Sequence, residues 1–157
     1  MAGTYTQLYI HVVFAVQGRA NLLGKDWRGE VFSYIAGILR NLNQKPIIVN
    51  GVADHVHVFF GLLPTASISE IVKHIKSNSS SFINNRKYIK GKFKWQEGFG
   101  AFSYSRSQLK SVYKYIQSQE EHHKKTTFKE EYLELLRKFE VDYNEKYVFE
   151  WIEETNG

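Results

Sequence analysis

Along residues 4–16 apolar and polar positions alternate, with Leu8, Ile10, Val12 and Phe14 on one side of an extended chain and Gln7, Tyr9, His11 and Val13 on the other. A period of two predicts a strand. Over residues 27–42 the period lengthens. Val31, Tyr34, Ile35, Ile38 and Leu42 recur at three- and four-residue steps, which predicts a helix that Asn43 stops. Two short apolar segments follow, residues 46–49 and 55–62, and Asn50-Gly51 between them is a hairpin turn signal. Ser67-Ile68-Ser69-Glu70 has the form of a capping box and opens a second helix with Ile68, Ile71, Val72, Ile75 and Phe82 on its buried side.

Past a basic loop, Phe102 and Tyr104 alternate in a last short strand, and Ser105-Arg106-Ser107-Gln108 repeats the capping-box form at the head of a third helix. The order strand, helix, strand, strand, helix, strand is that of an α+β, ferredoxin-like (split βαβ) sandwich. Such a fold is an antiparallel sheet with helices on one face and the other face open, a common place for nucleic acid. Thr127-Phe128-Lys129-Glu130 starts an extra C-terminal helix carrying Tyr132, Leu133, Leu136 and Phe139. The tail beyond it, with Tyr143, Tyr147, Phe149 and Trp151, is expected to pack on a neighbour.

Composition narrows the class. A chain of 157 residues without a Pro-, Gly- or Ser-rich linker reads as a single domain, 1–157, with a core of about 4–124 and a C-terminal helix and tail of about 126–157. There is no cysteine, which excludes disulfides and thiolate metal sites and points to a cytoplasmic protein. No run approaches the ~20 apolar residues that cross a bilayer, so no membrane role is expected. The formal net charge of +5 is uneven, with Lys73, Lys76, Arg86, Lys87, Lys90, Lys92 and Lys94 close together and the acids toward the carboxyl end. That distribution fits a polyanionic partner, and it also fits a solvated basic helix face.

The candidate chemistry lies in DHVHVFFGL at 54–62. On a strand, His55, His57 and Phe59 look one way while Val56, Val58 and Phe60 look into the core. Two imidazoles on one face can converge on a divalent ion, or can simply be surface residues of an exposed sheet face. In the third helix Leu109, Val112, Tyr113 and Ile116 form the core stripe, leaving Tyr115, Gln119 and His122 together on a polar side. Tyr115 reads either as a nucleophile beside a metal or as an exposed aromatic. EEHHKK at 120–125 reads as a solvated charged helix end in preference to a second metal site.

With DHVHV, WQEGFGAFS and YIQSQEEHH in this order, the chain resembles the HUH-type single-tyrosine transposases of small bacterial insertion sequences, nearly end to end. The resemblance implies a ferredoxin-like enzyme that cuts and rejoins single-stranded DNA hairpins at element ends through a 5′-phosphotyrosine intermediate. It further implies Mg²⁺ or Mn²⁺ on His55, His57 and Gln119, Tyr115 as nucleophile, and a homodimer in which the nucleophile often completes the opposite subunit's site. A bacterial cytoplasmic protein, nucleoid-associated when bound to DNA, follows from the same likeness. On an open sheet face, alanine at His55 or His57 is expected to remove cleavage at little cost in stability.

Three other readings compete. A non-catalytic ferredoxin-like module for single-stranded nucleic acid needs basic and aromatic surface but not His55, His57 and Tyr115 together. A small-molecule phosphoesterase would use the histidine pair without a nucleophilic tyrosine or a basic stripe. A domesticated relative would act at genomic repeats with the same chemistry. The double-His-motif phosphodiesterases are disfavoured, since only one His-x-His occurs and no Ser or Thr follows two residues after it.

Overall fold

A computed structural model describes residues 3–144 and Val148. Tyr147, Phe149 and Trp151 lie outside the described residues, and Tyr143 is exposed. The elements run β1 (Tyr9–Ala15), α1 (Arg28–Asn41), β2 (Lys45–Gly51), β3 (His55–Gly61), α2 (Ile68–Arg86), β4 (Gly100–Tyr104), α3 (Leu109–Gln117), α4 (Gln119–His122) and α5 (Phe128–Lys138). The four strands form one sheet in the order β2-β3-β1-β4 with every pairing antiparallel. This is the ferredoxin-like order expected of the split βαβ pattern.

Local chemistry sets the element ends. Asn43 stops α1 with a left-handed φ of 61°, a conformation Asn tolerates better than most residues. Ser67 Oγ accepts the Glu70 amide at 3.1 Å and starts α2, and Thr127 and Glu130 cap α5 reciprocally. Gly51 ends β2 because a Cβ there would run into the His55 carbonyl across the tight 52–54 connection. Pro46 sits at a register shift in β2, an edge strand where its missing N–H costs no central ladder bond.

The strands divide their residues as alternation requires. Ile10, Val12 and Phe14 of β1 and Val56, Val58 and Phe60 of β3 meet Val31, Ile35, Leu39, Ile71, Val72 and Ile75 of α1 and α2 in the main core. One position read as buried from the sequence departs from it. Tyr34 of α1 is exposed and stacks on Phe82, and Phe32 and Leu39 are buried instead.

The second face of the sheet is covered too. Val112 and Ile116 of α3 pack on Phe59, and Phe128, Leu135 and Leu136 of α5 pack on Val13, Ala15 and Phe102. The open surface expected for nucleic acid is therefore a buried layer, because β1, β3 and β4 carry enough apolar side chains there to hold two amphipathic helices. At roughly 1.5–3 kcal/mol for each large side chain removed from water, that layer is a substantial part of the fold. Asn50 fixes α3 over it, donating its amide to the Ile116 carbonyl at 2.9 Å and the Gln117 carbonyl at 3.2 Å.

Candidate metal and nucleophile site

Between the sheet and this second helical layer lies a set of buried polar side chains. Register places Val13 opposite His57 and Ala15 opposite His55, and His11 lies on the same face of β1. His11, His55, His57, Gln119 and Glu131 are all buried, with both histidines of the pair 0% exposed. The expectation of a half-exposed imidazole pair is thus corrected, since α3, α4 and α5 close over it.

Glu131 organises the cluster. Its Oε1 stands 3.1 Å from His55 Nε2, 3.2 Å from His57 Nε2 and 2.9 Å from His123 Nε2. Its Oε2 accepts the Tyr115 phenol and the Gln119 amide, the latter at 3.0 Å, and lies 3.4 Å from His122 Nε2. Gln119 Oε1 is 3.2 Å from His55 Nε2. The Tyr115 ring stands edge-on to His57 with centroids 5.7 Å apart, so nucleophile candidate and histidine pair meet within one chain.

The helix read as continuous from Ser105 begins as a short 3-10 turn and breaks at Ser118, yet Tyr115, Gln119 and His122 still face the same carboxylate. Tyr113, read as core, is exposed.

Burial and pairing set the charges. Burial would push the Glu131 carboxyl up, but hydrogen bonds from His123, His55 and His57 outweigh it and hold the group well below the carboxylate range. Burial also opposes charge on His55, and hydrogen bonds to Asp54 and Glu131 overcome it and raise His55 to about 9. For His57 burial prevails and its pKa is lowered, as is that of His11, which is buried and faces His57. Burial, then the Glu131 charge, pushes the Tyr115 phenol above its ordinary value, so this arrangement holds it protonated.

Each imidazole of the cluster is oriented from behind. Asp54 Oδ1 meets His55 Nδ1 at 2.7 Å, His11 Nε2 meets His57 Nδ1 at 2.7 Å, and the Thr126 carbonyl meets His123 Nδ1 at 2.7 Å. Outer partners of this kind are how proteins aim metal-ligating histidines. His55, His57, His123 and Glu131 offer ligand atoms all within 4.8 Å of one another, so the donor set fits a divalent ion.

Two of these residues were missed in the sequence, and the third was set aside. His123 belongs to EEHHKK, read as a solvated helix end, but its side chain is 10% exposed and points inward. Glu131 had a signal: Phe128, Glu131 and Leu135 fall at i, i+3 and i+7, placing a carboxylate on the buried stripe of α5. His11 shares its face with Val13 in the β1 alternation.

The basic segment is not brought to the cluster. α2 lies on the opposite face of the sheet, with Lys73 and Arg86 exposed on it and Lys87, Lys90, Lys92 and Lys94 exposed in the loop beyond. Lys76 turns inward, donating to the Gln96 carbonyl at 2.8 Å and the Gly98 carbonyl at 2.6 Å. The cations beside the cluster are others. A cleft of about 1020 Å³ next to Asp54 and His123 is lined by Lys25, Arg28, Lys124 and Lys125, and a second, of about 460 Å³, opens at Tyr115 and His122.

The sequence profile of the IS200-like transposases matches residues 4–119. Among solved structures, a protein from Deinococcus radiodurans R1 assigned as a transposase superposes with a TM-score of 0.62 at 19% identity, covering 76% of this chain and 95% of that one. A REP-associated tyrosine transposase bound to a REP hairpin superposes with a TM-score of 0.58 at 14% identity, covering 78% of this chain and 73% of that one. No curated protein matches the sequence. Since the profile spans more than half of the residues, the chain belongs to the IS200-like transposase family.

Proposed function

We propose that this transposase cuts and rejoins single-stranded DNA at hairpin-bearing element ends, with Tyr115 as nucleophile and His55, His57 and Gln119 holding Mg²⁺ or Mn²⁺. The observation that carries the reading is the buried pair of imidazoles meeting a tyrosine and an amide at one point. The ion would polarise the scissile phosphate and offset its developing charge. Tyr115 Oη forms the bond to phosphorus and the P–O3′ bond breaks. Glu131 Oε2, the hydrogen-bond acceptor of the phenol, orients the hydroxyl; the phenolic proton is lost to solvent as the bond to phosphorus forms, and the departing oxygen takes a proton from solvent to become a free 3′ hydroxyl. Attack by a 3′ hydroxyl on the phosphotyrosine reverses the step and restores Oη.

Residues 1–157 act as one domain in the bacterial cytoplasm, as a homodimer, with the exposed basic residues of 73–94 on DNA phosphates. Tyr115 lies beside its own chain's His57, with ring centroids 5.7 Å apart. A second reading, a domesticated relative acting at genomic repeats, is favoured by the similarity to a transposase bound to a REP hairpin. A non-catalytic binding module would have no use for the buried cluster.

The test is cleavage of a 5′-labelled hairpin strand with Mg²⁺, Mn²⁺ or chelator, and mass spectrometry of the covalent adduct. Tyr115→Phe should bind hairpin DNA yet form no adduct. An adduct mapped to Tyr113, or undiminished cutting in chelator, would sink the assignment.

A further inference from the structure

The Asp54 carboxylate and the Thr126 carbonyl can only accept hydrogen bonds. The Nδ1 atoms facing them, on His55 and His123 and both at 2.7 Å, therefore carry protons. A neutral imidazole protonated on Nδ1 presents a lone pair at Nε2. Yet the Nε2 atoms of His55 and His123 both point at Oε1 of Glu131, at 3.1 and 2.9 Å, and His57 Nε2 joins them at 3.2 Å. A cation standing among the four side chains would use these lone pairs and the carboxylate at once, and the four ligand atoms all lie within 4.8 Å of one another.

We propose that His123 and Glu131 join His55 and His57 in a preformed cage that takes up a divalent transition ion before DNA arrives, and that Glu131 ties this ion to the nucleophile. The inference rests on the histidine pair being metal ligands, and adds two ligands and a metal preference to that reading. Three imidazole nitrogens and one carboxylate are donors for Zn²⁺ or Mn²⁺, whereas Mg²⁺ prefers oxygen ligands and keeps its water. The outer partners of the three rings leave every Nε2 aimed inward, so little reorganisation accompanies binding. Glu131 has two faces: Oε1 closes the cage, while Oε2 holds the Tyr115 hydroxyl and the Gln119 amide. A carboxylate shared in this way fixes the phenol beside the ion rather than leaving it free in the cleft.

The chelator-treated full chain, without DNA, is titrated by calorimetry with Zn²⁺, Mn²⁺ and Mg²⁺, alongside Mn²⁺ electron paramagnetic resonance. One Zn²⁺ or Mn²⁺ per chain is expected, with Mg²⁺ weaker by about tenfold or more. His123→Ala and Glu131→Gln should each lose about tenfold or more in Zn²⁺ affinity, and His55→Ala should lose at least as much. Glu131→Gln can fail to fold, so His123→Ala, at a partly exposed helix end, carries the result independently. A melt of each variant with and without Zn²⁺ separates folding from binding. Wild-type affinity in His123→Ala and Glu131→Gln with loss only in His55→Ala would overturn the cage and leave the proposed transposase site standing. No uptake by the wild type without DNA also overturns it. Undiminished binding in all three variants would place the ion elsewhere and remove both readings.

Discussion

The two faces of the sheet are built from the same strands and do opposite things. Toward α1 and α2, β3 presents Val56, Val58 and Phe60 to an apolar core, and the buried hydroxyl of Ser79 is satisfied locally by the Ile75 carbonyl at 2.6 Å and the Trp95 indole at 2.9 Å. Toward α3–α5, the alternate residues His55 and His57 share a buried layer with His11, Gln119 and Glu131, ringed by Phe59, Val13, Phe102 and Ile116. One face minimises polar groups. The other concentrates them where water is excluded and a charge interaction is strongest. What separates structure from chemistry in this chain is a one-residue step along β3.

That contrast predicts unequal costs for neighbouring substitutions. Phe60→Ala removes a fully buried ring from the apolar face and should destabilise the fold by about 3–5 kcal/mol in chemical denaturation, the range for such core truncations. Cleavage per folded molecule should persist. A loss below about 1 kcal/mol would mean that the α1/α2 face is not the main core.

His57→Ala should cost less in stability, about 1–3 kcal/mol, since it leaves His11 and Glu131 each short of a buried partner rather than opening a large apolar void. Cleavage should be lost entirely. Unchanged melting would mean that the imidazole is not buried after all, and would restore the open-face picture drawn from the sequence.

Much of this was legible because periodicity reports burial. Alternation marked β1 and β3, three- and four-residue spacing marked α1 and α2, and the Ser67 cap and the Thr127 capping box stand where helices begin. His55, His57, Tyr115 and Gln119 are legible as candidates, and the structure brings all four to one carboxylate. Glu131 is hidden because α5 lies outside the strand–helix pattern of the sandwich, where a single charge on an apolar stripe looks like an ordinary helix residue. The covered second face was missed for a related reason. Val13 was read as part of a polar side, although Val13, Ala15, Phe59 and Phe102 together demand a helical cover. His123 shows the limit of local reading: EEHHKK is polar throughout, and only the fold of α4 against α5 turns one of its imidazoles inward.

The smallest expected effect concerns which face of the sheet the DNA backbone follows. The exposed cations of 73–94 lie on the α1/α2 side, whereas Lys124 and Lys125 line the cleft at His123. Each phosphate neutralised on a single strand contributes roughly 0.7 to the slope of log affinity against log salt. Replacing Lys87, Lys90 and Lys92 by Ala should therefore lower that slope by about 2 at most, with little change in sequence preference or in cutting of bound DNA. Lys124→Ala with Lys125→Ala should lower it by about 1.4 at most and also slow cutting, because these two residues line the cleft at His123. Salt titrations of hairpin binding for the two variants read this directly. An unchanged slope in the triple variant would take the α2 side off the DNA path, leaving the strand confined to the face that holds the histidines.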